Sequence, residues 1–352
     1  MVRVGVIGAG MMGATHLDAY AQLQGVEVVA IAARNPQGVA EKLSAGGNIE
    51  GMGQGKFDLS GVRLYAEGHE LIADPNVDLV DVCLPTTMHL DYGLAVLEAG
   101  KHLLMEKPLA RTYAEALQLA DAADTAPGLS MAAMCMRFWP GWDWLKKAID
   151  DGRYGRVRSA TFRRVAPHPG GPAYLDGTSN GGALLDLHVH DADFVRHCFG
   201  MPQAVRSVGY ASLTGAIDHV STQYVYAPGS APGIAPGSEP AHDKAPELVT
   251  AEGGWAMADG FDFTMRYTVN FDAGTADWDL TRDPVLKWFP REGEPETISL
   301  SPEMGYKFEL EALVRAISDG GPSPAPLRDA AESLRLVEAE ARSIELGQSV
   351  EL

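Results

Sequence analysis

The sequence predicts an α/β domain built on a doubly wound parallel sheet, followed by an α+β domain with an open, mostly antiparallel sheet. In the first part of the chain, short apolar strands alternate with helices of about 10–15 residues, which is typical of βαβ units on a parallel sheet. The alternation fades near residue 135, and strand-like segments then follow one another with little helix between them. The length of 352 residues suits two domains, which we place at residues 1–127 and 128–352.

The alternating part contains five predicted strands and five predicted helices. The strands cover residues 2–7, 26–32, 77–84, 102–105 and 129–135, and the helices cover residues 15–23, 39–43, 70–74, 92–99 and 113–123. A glycine-rich stretch at 46–55 is predicted to be a loop.

The second part is predicted to be a sheet that is closed by two helices. The strands cover residues 156–164, 204–213, 220–226, 261–272 and 275–280, with weaker candidates at 285–289 and 297–300, and the helices cover 308–317 and 330–346. We expect the last helix to pack back on the first domain. Residues 227–246 hold too many Pro and Gly for a central strand, so we predict an insertion in a sheet loop. A proline-rich ligand for another protein is the alternative, but no PxxP signature with basic flanks stands out.

The composition excludes several classes of protein. A net charge of −19, from 28 basic and 47 acidic residues, argues against a general nucleic-acid surface. No run of about 18 apolar residues indicates a membrane span. The chain starts as a strand and a glycine turn rather than as a signal peptide, so we expect a cytoplasmic protein. Cys83, Cys135 and Cys198 are widely spaced, which favours reduced thiols over a zinc ribbon or disulfides.

A GxGxxG motif follows the first strand and opens the first helix. It consists of Gly8, Gly10 and Gly13, with Met11 and Met12 between the last two. The first glycine permits a tight turn, the second lets the backbone approach a pyrophosphate, and the third lets the helix pack on the sheet. The motif predicts a dinucleotide site at the helix N-terminus. The alternative is a βα turn whose glycines serve packing alone.

The residues after the second strand bear on the choice of cofactor. An acidic residue at this place favours NAD, because it binds the ribose hydroxyls. Here the sequence reads AARN, with Ala33 and Arg34 where the acid would stand. Arg34 can pair with a 2′-phosphate, so we expect NADP rather than NAD. A solvated Arg34, or an Arg34 that stacks on the adenine of NAD, is the alternative.

Four further segments resemble the Gfo/Idh/MocA family of oxidoreductases, and with the glycine motif they extend the resemblance over almost the whole chain. They are LPTTMH (84–89), AGKH (99–102), EKPLA (106–110) and GGALLDLHVHD (181–191), the last of which resembles the pattern GG-x-L-x-D-x-G-x-H. The family implies a Rossmann domain that binds NAD(P), an open-sheet domain for substrate binding and oligomerisation, and a substrate site between them. It also implies a homodimer or homotetramer formed through the open sheet.

The resemblance assigns roles to individual residues. Lys107 matches the catalytic lysine, and Asp186 and His190 match its acidic and histidine partners. The residues expected beside the cofactor are Pro85, Thr86, His89, Glu106, Lys107 and Pro108. His188 replaces the usual Gly of the family pattern, and the segment CMRFWP (135–140) lacks an Asn that often precedes its Arg. The pocket-lining candidates for substrate are Arg137, Trp139, Tyr174 and His188.

The chemistry of alcohol oxidation fits these residue types. The cofactor takes a hydride while a base takes the hydroxyl proton, and His190 is the candidate base. If Gly182 opens a helix, Asp186 lies on the same face one turn earlier, where it can orient the imidazole or hold a hydroxyl. Lys107 can stabilise a developing alkoxide, and Pro108 restricts its backbone.

A metal site is the alternative use of the histidines. His188, His190, Asp191 and Asp193 resemble a ligand cluster, but HxH chelation needs a strand, where alternate residues share a face. On a helix the two histidines point about 200° apart. Since the GG opening favours a helix, we expect no metal.

The sequence therefore predicts an NAD(P)-dependent dehydrogenase or reductase of a sugar, inositol or related polyol or diol. Two alternatives stay open: a hydrolase or isomerase that oxidises its substrate transiently, and a regulator that binds the cofactor without chemistry. The presence of Lys107, Asp186 and His190 together disfavours the regulator, because a sensor needs no base.

Overall fold

The computed structural model describes residues 1–44, 57–226 and 245–352. The predicted loop at 46–55, and the predicted insertion at 227–246 except for its last two residues, lie outside this part of the chain. Two compact units are present. The first unit contains Met1–Phe138 and Met304–Glu332, and the second contains Trp139–Glu303 and Ser333–Leu352.

The first unit is built on a six-stranded sheet in which every pairing is parallel. Its strands are β1 (Val2–Ile7), β2 (Val26–Ala32), β3 (Arg63–Tyr65), β4 (Leu79–Val82), β5 (His102–Glu106) and β6 (Ser130–Ala133). They lie in the order β3-β2-β1-β4-β5-β6, so the direction of strand succession reverses beside β1, where doubly wound sheets bind ligands. Because β6 pairs with β5, the expected domain boundary at residue 127 falls too early.

The second unit is built on a mixed, mostly antiparallel sheet of nine strands. They are β7 (Val157–Pro167), β8 (Ala204–Tyr210), β9 (His219–Val225), β10 (Leu248–Met257), β11 (Thr264–Phe271), β12 (Gly274–Asp279), β13 (Leu286–Pro290), β14 (Glu296–Thr297) and β15 (Val350–Glu351). The order is β14-β13-β12-β11-β7-β10-β9-β8-β15, and among the described strands of this second sheet only β7 and β10 pair in parallel.

Strand β10 is absent from the sequence-based prediction because Gly253 and Gly254 interrupt its apolar pattern. The structure shows why a glycine stands there. A Cβ at Gly253 would lie 2.5 Å from Nδ1 of His188, so a larger residue would collide with that ring.

The helices of the chain are α1 (Met11–Tyr20), α2 (Val39–Ser44), α3 (Gly68–Ile72), α4 (His89–Glu98), α5 (Tyr113–Thr125), α6 (Trp142–Asp150), α7 (Pro172–Leu175), α8 (Gly177–Asn180), α9 (Val189–Phe199), α10 (Gly305–Asp319) and α11 (Leu327–Leu346). Helix α10 returns to the first unit, where its fully buried Leu310 and Leu313 share a core with Val4 and Leu17. The last helix, α11, also contacts the first unit at its start, where Arg328 pairs with Asp121 and Asp124 of α5, and it belongs to the second unit from Ser333 onward.

An aromatic cluster fills the core of the second unit on one face of its sheet. The ring of Trp142, on α6, lies 4.8 Å from Phe194 of α9, 5.5 Å from Tyr267 of β11 and 5.8 Å from Trp278 of β12. Buried aromatic rings in contact with one another contribute strongly to the stability of a core. None of the helices in the described ranges is sufficiently long and apolar to cross a membrane.

Candidate active-site residues

The three glycines of the motif lie at the carboxyl end of β1, and each has a different surrounding. Gly8 has a φ of +105°, and a Cβ there would lie 2.3 Å from the carbonyl oxygen of Cys83. A Cβ at Gly13 would lie 1.9 Å from the carbonyl oxygen of Gly8. At Gly10, by contrast, a Cβ would meet none of the described atoms within 4 Å. The first and third glycines therefore allow close packing, and the second faces open space.

The N-terminus of α1 fits an anionic group. Gly10 is its N-cap and makes no side-chain capping bond, and the first turn carries no acidic residue. The first N–H groups of a helix lack intrahelical partners and carry the positive end of its dipole. With Gly10 open and Met11 and Met12 half-buried beside it, these residues form a cradle that fits a dinucleotide pyrophosphate.

Arg34 follows β2 at the same edge of the sheet. Its side chain is exposed, and the next residue, Asn35, accepts a hydrogen bond from the N–H of Gly38 at 3.3 Å to cap a short turn. At the place where an acid would bind the ribose hydroxyls, this chain therefore has the guanidinium of Arg34. The amide of the next residue, Asn35, is occupied by its hydrogen bond with Gly38.

The segment after β4 begins with an exposed Pro85 and a half-buried Thr86, followed by a buried His89. Nδ1 of His89 lies 2.9 Å from the carbonyl oxygen of Pro108, and Nε2 lies 2.8 Å from that of Leu84. Burial lowers the pKa of His89, although its backbone partners oppose this. Since the side chain is fully buried, His89 joins two loops instead of contacting a cofactor, contrary to our expectation.

Lys107 stands at the carboxyl end of β5 and is half-buried. Its backbone N–H donates to Oε2 of Glu106 at 2.8 Å, and its peptide bond to Pro108 is cis. The Glu106 side chain is buried and turned toward the protein interior, where Oε1 lies 3.2 Å from Nε2 of His16. Glu106 therefore supports the backbone of Lys107. Its buried position does not favour the contact between its side chain and the cofactor that we expected.

A buried polar cluster, formed by His16, Asp81, Cys83, Glu106 and Glu309, lies directly behind the glycines. Nδ1 of His16 is 2.8 Å from Oδ2 of Asp81 and 3.5 Å from Sγ of Cys83. These three side chains have the spacing of metal ligands, but they are already hydrogen-bonded to one another. The sequence contained a signal for this cluster, because Asp81 interrupts the apolar strand VDLVDVCL and a buried carboxylate needs a partner.

Burial and charge set the protonation states in this cluster. Burial alone would lower the pKa of His16, but the neighbouring Asp81 and Cys83 raise it well above its usual value. Burial raises the pKa of the Glu309 carboxyl well above its usual value. Burial also raises the pKa of the Cys83 thiol, so it is not a reactive thiolate.

In the second unit, Gly181 and Gly182 open the helical segment that carries Asp186 and His190. A Cβ at Gly182, whose φ is +70°, would lie 2.6 Å from the carbonyl oxygen of Ile217. A π-helical turn, Leu184–His188, then leads into α9. The expected helix is therefore present, with Asp186 half-buried and His190 9% exposed, about one turn apart on it. π-Helical turns occur often at functional sites.

His188 points into the core, contrary to the expectation that it lines the substrate pocket. It is fully buried, and its Nε2 lies 3.2 Å from Oε2 of Glu340 and 3.4 Å from the hydroxyl of Tyr224. Burial would lower the pKa of His188, but Glu340 raises it overall. The neighbouring Asp191 is paired with Arg164 at 2.8 Å. Two members of the supposed metal cluster are thus used in separate buried ion pairs.

The remaining candidates for the substrate pocket differ in their burial and contacts. Arg137 is 6% exposed and lies 2.5 Å from Asp329 of its own unit, which makes it a structural ion pair and not an evident substrate contact. Trp139 is half-buried. Tyr174 is half-buried too, and its ring lies 6.0 Å from that of Trp255, an aromatic residue that we did not predict.

Asp218, which no sequence pattern indicated, fixes the loop that lies against Gly182 in the second unit. Its carboxylate accepts hydrogen bonds from the N–H groups of residues 212–214, from the hydroxyl of Thr214 and from Nε1 of Trp255, at 2.6–3.1 Å. Although burial opposes it, this set of donors lowers the pKa of Asp218 to about 2. The loop in turn accepts the N–H of Leu184 through Ile217, so Asp218 supports the start of the helical segment.

Comparisons with known families agree with this arrangement. Residues 2–133 match an oxidoreductase family described as having an NAD-binding Rossmann fold, and residues 142–233 match the GFO/IDH/MocA C-terminal domain. An uncharacterised oxidoreductase of Rhizobium meliloti is 26% identical over 99% of this chain and 98% of its own length. The myo-inositol 2-dehydrogenase of Thermotoga maritima is 31% identical over 56% of this chain and 55% of its own length.

A solved structure has the same fold along the whole chain. It is a levoglucosan dehydrogenase in complex with NADH and levoglucosan, with a TM-score of 0.82 and 22% identity, covering 100% of this chain and 99% of that one. The levoglucosan dehydrogenase of Pseudarthrobacter phenanthrenivorans is 30% identical over 59% of this chain and 53% of its own length. The chain belongs to the Gfo/Idh/MocA family of NAD(P)-binding oxidoreductases.

Proposed function

We propose that this protein transfers a hydride between a nicotinamide cofactor and a hydroxyl-bearing carbon of a sugar, inositol or related polyol or diol. The observation that carries the proposal is the position of Lys107, a half-buried lysine at the carboxyl end of β5 in the sheet that also bears the glycine cradle. Carboxyl ends of parallel strands are where such sheets bind their ligands. The relatives named for levoglucosan and myo-inositol support the substrate class.

The cofactor residues in this proposal are the cradle and the strand ends beside it. Gly8, Gly10 and Gly13, with Met11 and Met12, would receive the pyrophosphate. Pro85, Thr86 and Lys107 would lie beside the rest of the molecule. When bound, the nicotinamide supplies the acceptor or donor for the hydride.

Three side chains handle the substrate hydroxyl. His190 accepts its proton during oxidation and returns it during reduction. Asp186, about a turn earlier on the same helical segment, orients the imidazole or holds a neighbouring hydroxyl. The ammonium of Lys107 stabilises the oxygen as negative charge develops on it, which lowers the barrier more than it strengthens ground-state binding.

We infer a preference for NADP from Arg34. The exposed guanidinium stands where an acid would favour NAD, and it can form a bidentate pair with a 2′-phosphate. Of the related structures, one with a TM-score of 0.81 is described as a putative NADPH-dependent oxidoreductase, while others contain NADH. Michaelis constants for the two cofactors decide the question, and a strong preference for NAD would refute the inference.

We also propose that the protein is a homodimer or homotetramer formed through the open sheet. The support is the exposure of large apolar residues on one face of β8, β9 and β10, in two pairs: Val208 with Tyr210, and Val225 with Leu248. Val208 is 65% exposed, and exposed apolar residues on an open sheet face are candidates for burial by a second copy of the chain. Light scattering that gave the mass of a single chain would refute this.

A substrate panel tests the function. The protein is mixed with NAD+ or NADP+ and with levoglucosan, myo-inositol and a range of sugars and diols, and absorbance is followed at the reduced-nicotinamide band. Net formation of reduced cofactor supports the proposal. Product without net reduced cofactor would instead indicate a hydrolase or isomerase, and cofactor binding without any turnover would indicate a regulator.

A further inference from the structure

The side chain of His16 lies between two buried carboxylates. It projects from α1, the helix whose N-terminus forms the cradle, and it is fully buried. Nδ1 is hydrogen-bonded to Asp81 of β4 at 2.8 Å. Nε2 lies 3.2 Å from Oε1 of Glu106 of β5, a contact whose angles make it an ion pair rather than an aligned hydrogen bond.

This arrangement favours an imidazolium. A neutral imidazole carries one N–H, so one of its two nitrogens would present a lone pair to a carboxylate oxygen. A positive ring donates from Nδ1 to Asp81 and is attracted at Nε2 to Glu106. Although burial opposes it, Asp81 and Cys83 raise the pKa of His16. Burial, with a further contribution from the nearby Glu106 and Asp81 carboxylates, raises the pKa of Glu309 well above its usual value, which disfavours a third buried charge here.

Glu106 connects His16 to the backbone of Lys107. Its two oxygens face different groups: Oε1 faces His16, and Oε2 accepts the N–H of Lys107 at 2.8 Å. On the other side of Lys107, the carbonyl oxygen of Pro108 contacts the buried ring of His89 at 2.9 Å. The backbone that carries the lysine is thus held at both ends by buried groups.

Stability alone gives a weak reason for such a cluster. Removing charges from water costs several kcal/mol per ion, and well-packed apolar residues of similar size are often as stable as a buried ion pair. Glu309 adds a separate cost, because both of its carboxyl oxygens are buried without a hydrogen-bond partner among the described residues. What the charged arrangement supplies, and an apolar one would not, is a fixed link from α1 to the backbone of Lys107.

We propose that His16 is a positioning residue for Lys107: as an imidazolium it links the cofactor-binding helix, through Glu106, to the backbone that carries the lysine. The inference rests on the proposed function, in which the Lys107 ammonium acts on the substrate. It assigns no contact with cofactor or substrate to His16 itself.

The test compares His16→Gln, Glu106→Gln and the double variant in the full-length protein. We expect each single change to lower kcat by about 10- to 100-fold, because a displacement of about 1 Å at a reacting group has effects of this size. The cofactor dissociation constant should change less than about threefold, and the double variant should lose little more than either single one. Additive losses, or a wild-type kcat in His16→Gln, would overturn the proposal.

Controls separate this inference from simpler explanations. His69→Gln changes an exposed histidine on α3 of the same unit and should keep wild-type kcat. Thermal unfolding shows whether a variant is folded, and Glu106→Gln, which keeps the shape of the side chain, serves if His16→Gln fails to fold. If Lys107→Ala has full activity, the proposed function is wrong. If Lys107→Ala is inactive while a folded Glu106→Gln keeps full kcat, the inference alone is wrong.

Discussion

Each unit of the protein contains a buried carboxylate that holds a functional segment in place, but the two are satisfied in different ways. In the second unit, Asp218 accepts five hydrogen bonds from neutral donors, three of them backbone N–H groups. In the first unit, Asp81 and Glu106 are paired with a single histidine, His16, which compensates their charge only when its ring is protonated. The neutral donors to Asp218 keep their protons at any pH of interest. His16, by contrast, must be protonated to pair with both carboxylates.

The difference indicates what each region contributes. A carboxylate held by neutral donors stabilises the folded chain at any pH where it is ionised. A buried ion-pair cluster contributes little net stability, because its desolvation cost offsets the attraction between its charges. We therefore expect changes around Asp218 to appear mainly in folding, and changes around Lys107 to appear mainly in turnover. The following experiments test that division, from the largest expected effect to the smallest.

Replacement of the candidate base has the largest expected effect. His190→Ala should lower kcat by about 100- to 10,000-fold, since this is the range for loss of a general base. Steady-state formation of reduced cofactor measures it. His219→Gln, at a histidine of β9 paired with Glu252, is the matched control and should keep wild-type kcat. Turnover of His190→Ala within twofold of wild type would remove His190 from the mechanism.

Two glycines of the cradle give a matched pair. Gly13→Ala places a Cβ against backbone and should destabilise the protein by about 1–3 kcal/mol. Gly10→Ala meets open space, so the free energy of unfolding should change by less than about 0.5 kcal/mol. It should instead weaken cofactor binding about tenfold, or ~1.4 kcal/mol. Denaturant unfolding and cofactor titration measure the two quantities, and equal destabilisation by both changes would contradict the assignment.

Acid unfolding tests Asp218. Its pKa is about 2 in the folded protein, below the ordinary value of 3.8, so its contribution is fully present above about pH 4 and is lost as the pH falls through about 2. The shift corresponds to about 2 kcal/mol. Asp218→Asn should therefore lower the free energy of unfolding by about that amount at pH 7 and by much less at pH 2. A destabilisation that stayed constant over this range would show that the carboxylate charge is not responsible.

Arg34 should have the smallest effect on the wild-type reaction. Arg34→Ala should raise the Michaelis constant for NADP about tenfold, through loss of a charge-assisted contact, and leave that for NAD nearly unchanged. Equal effects on both cofactors would place Arg34 against the adenine ring instead.

Local patterns predicted the backbone well, and long-range partners explain what was missed. The GxGxxG spacing and the strand that precedes it lie within one βα unit, so the cradle follows from the sequence. His16 and Asp81 are 65 positions apart, and no local pattern joins them. His188 illustrates the same point. Helix periodicity predicts that it points away from His190, but only the fold shows that it pairs with Glu340.

The most direct test of the central claim compares wild type with Lys107→Ala, using NADP+ or NAD+ and the best substrate of the polyol panel. We predict that wild type forms reduced cofactor, while Lys107→Ala binds the cofactor with similar affinity and turns over about 100- to 1,000-fold more slowly. A folded Lys107→Ala variant with wild-type turnover would contradict it.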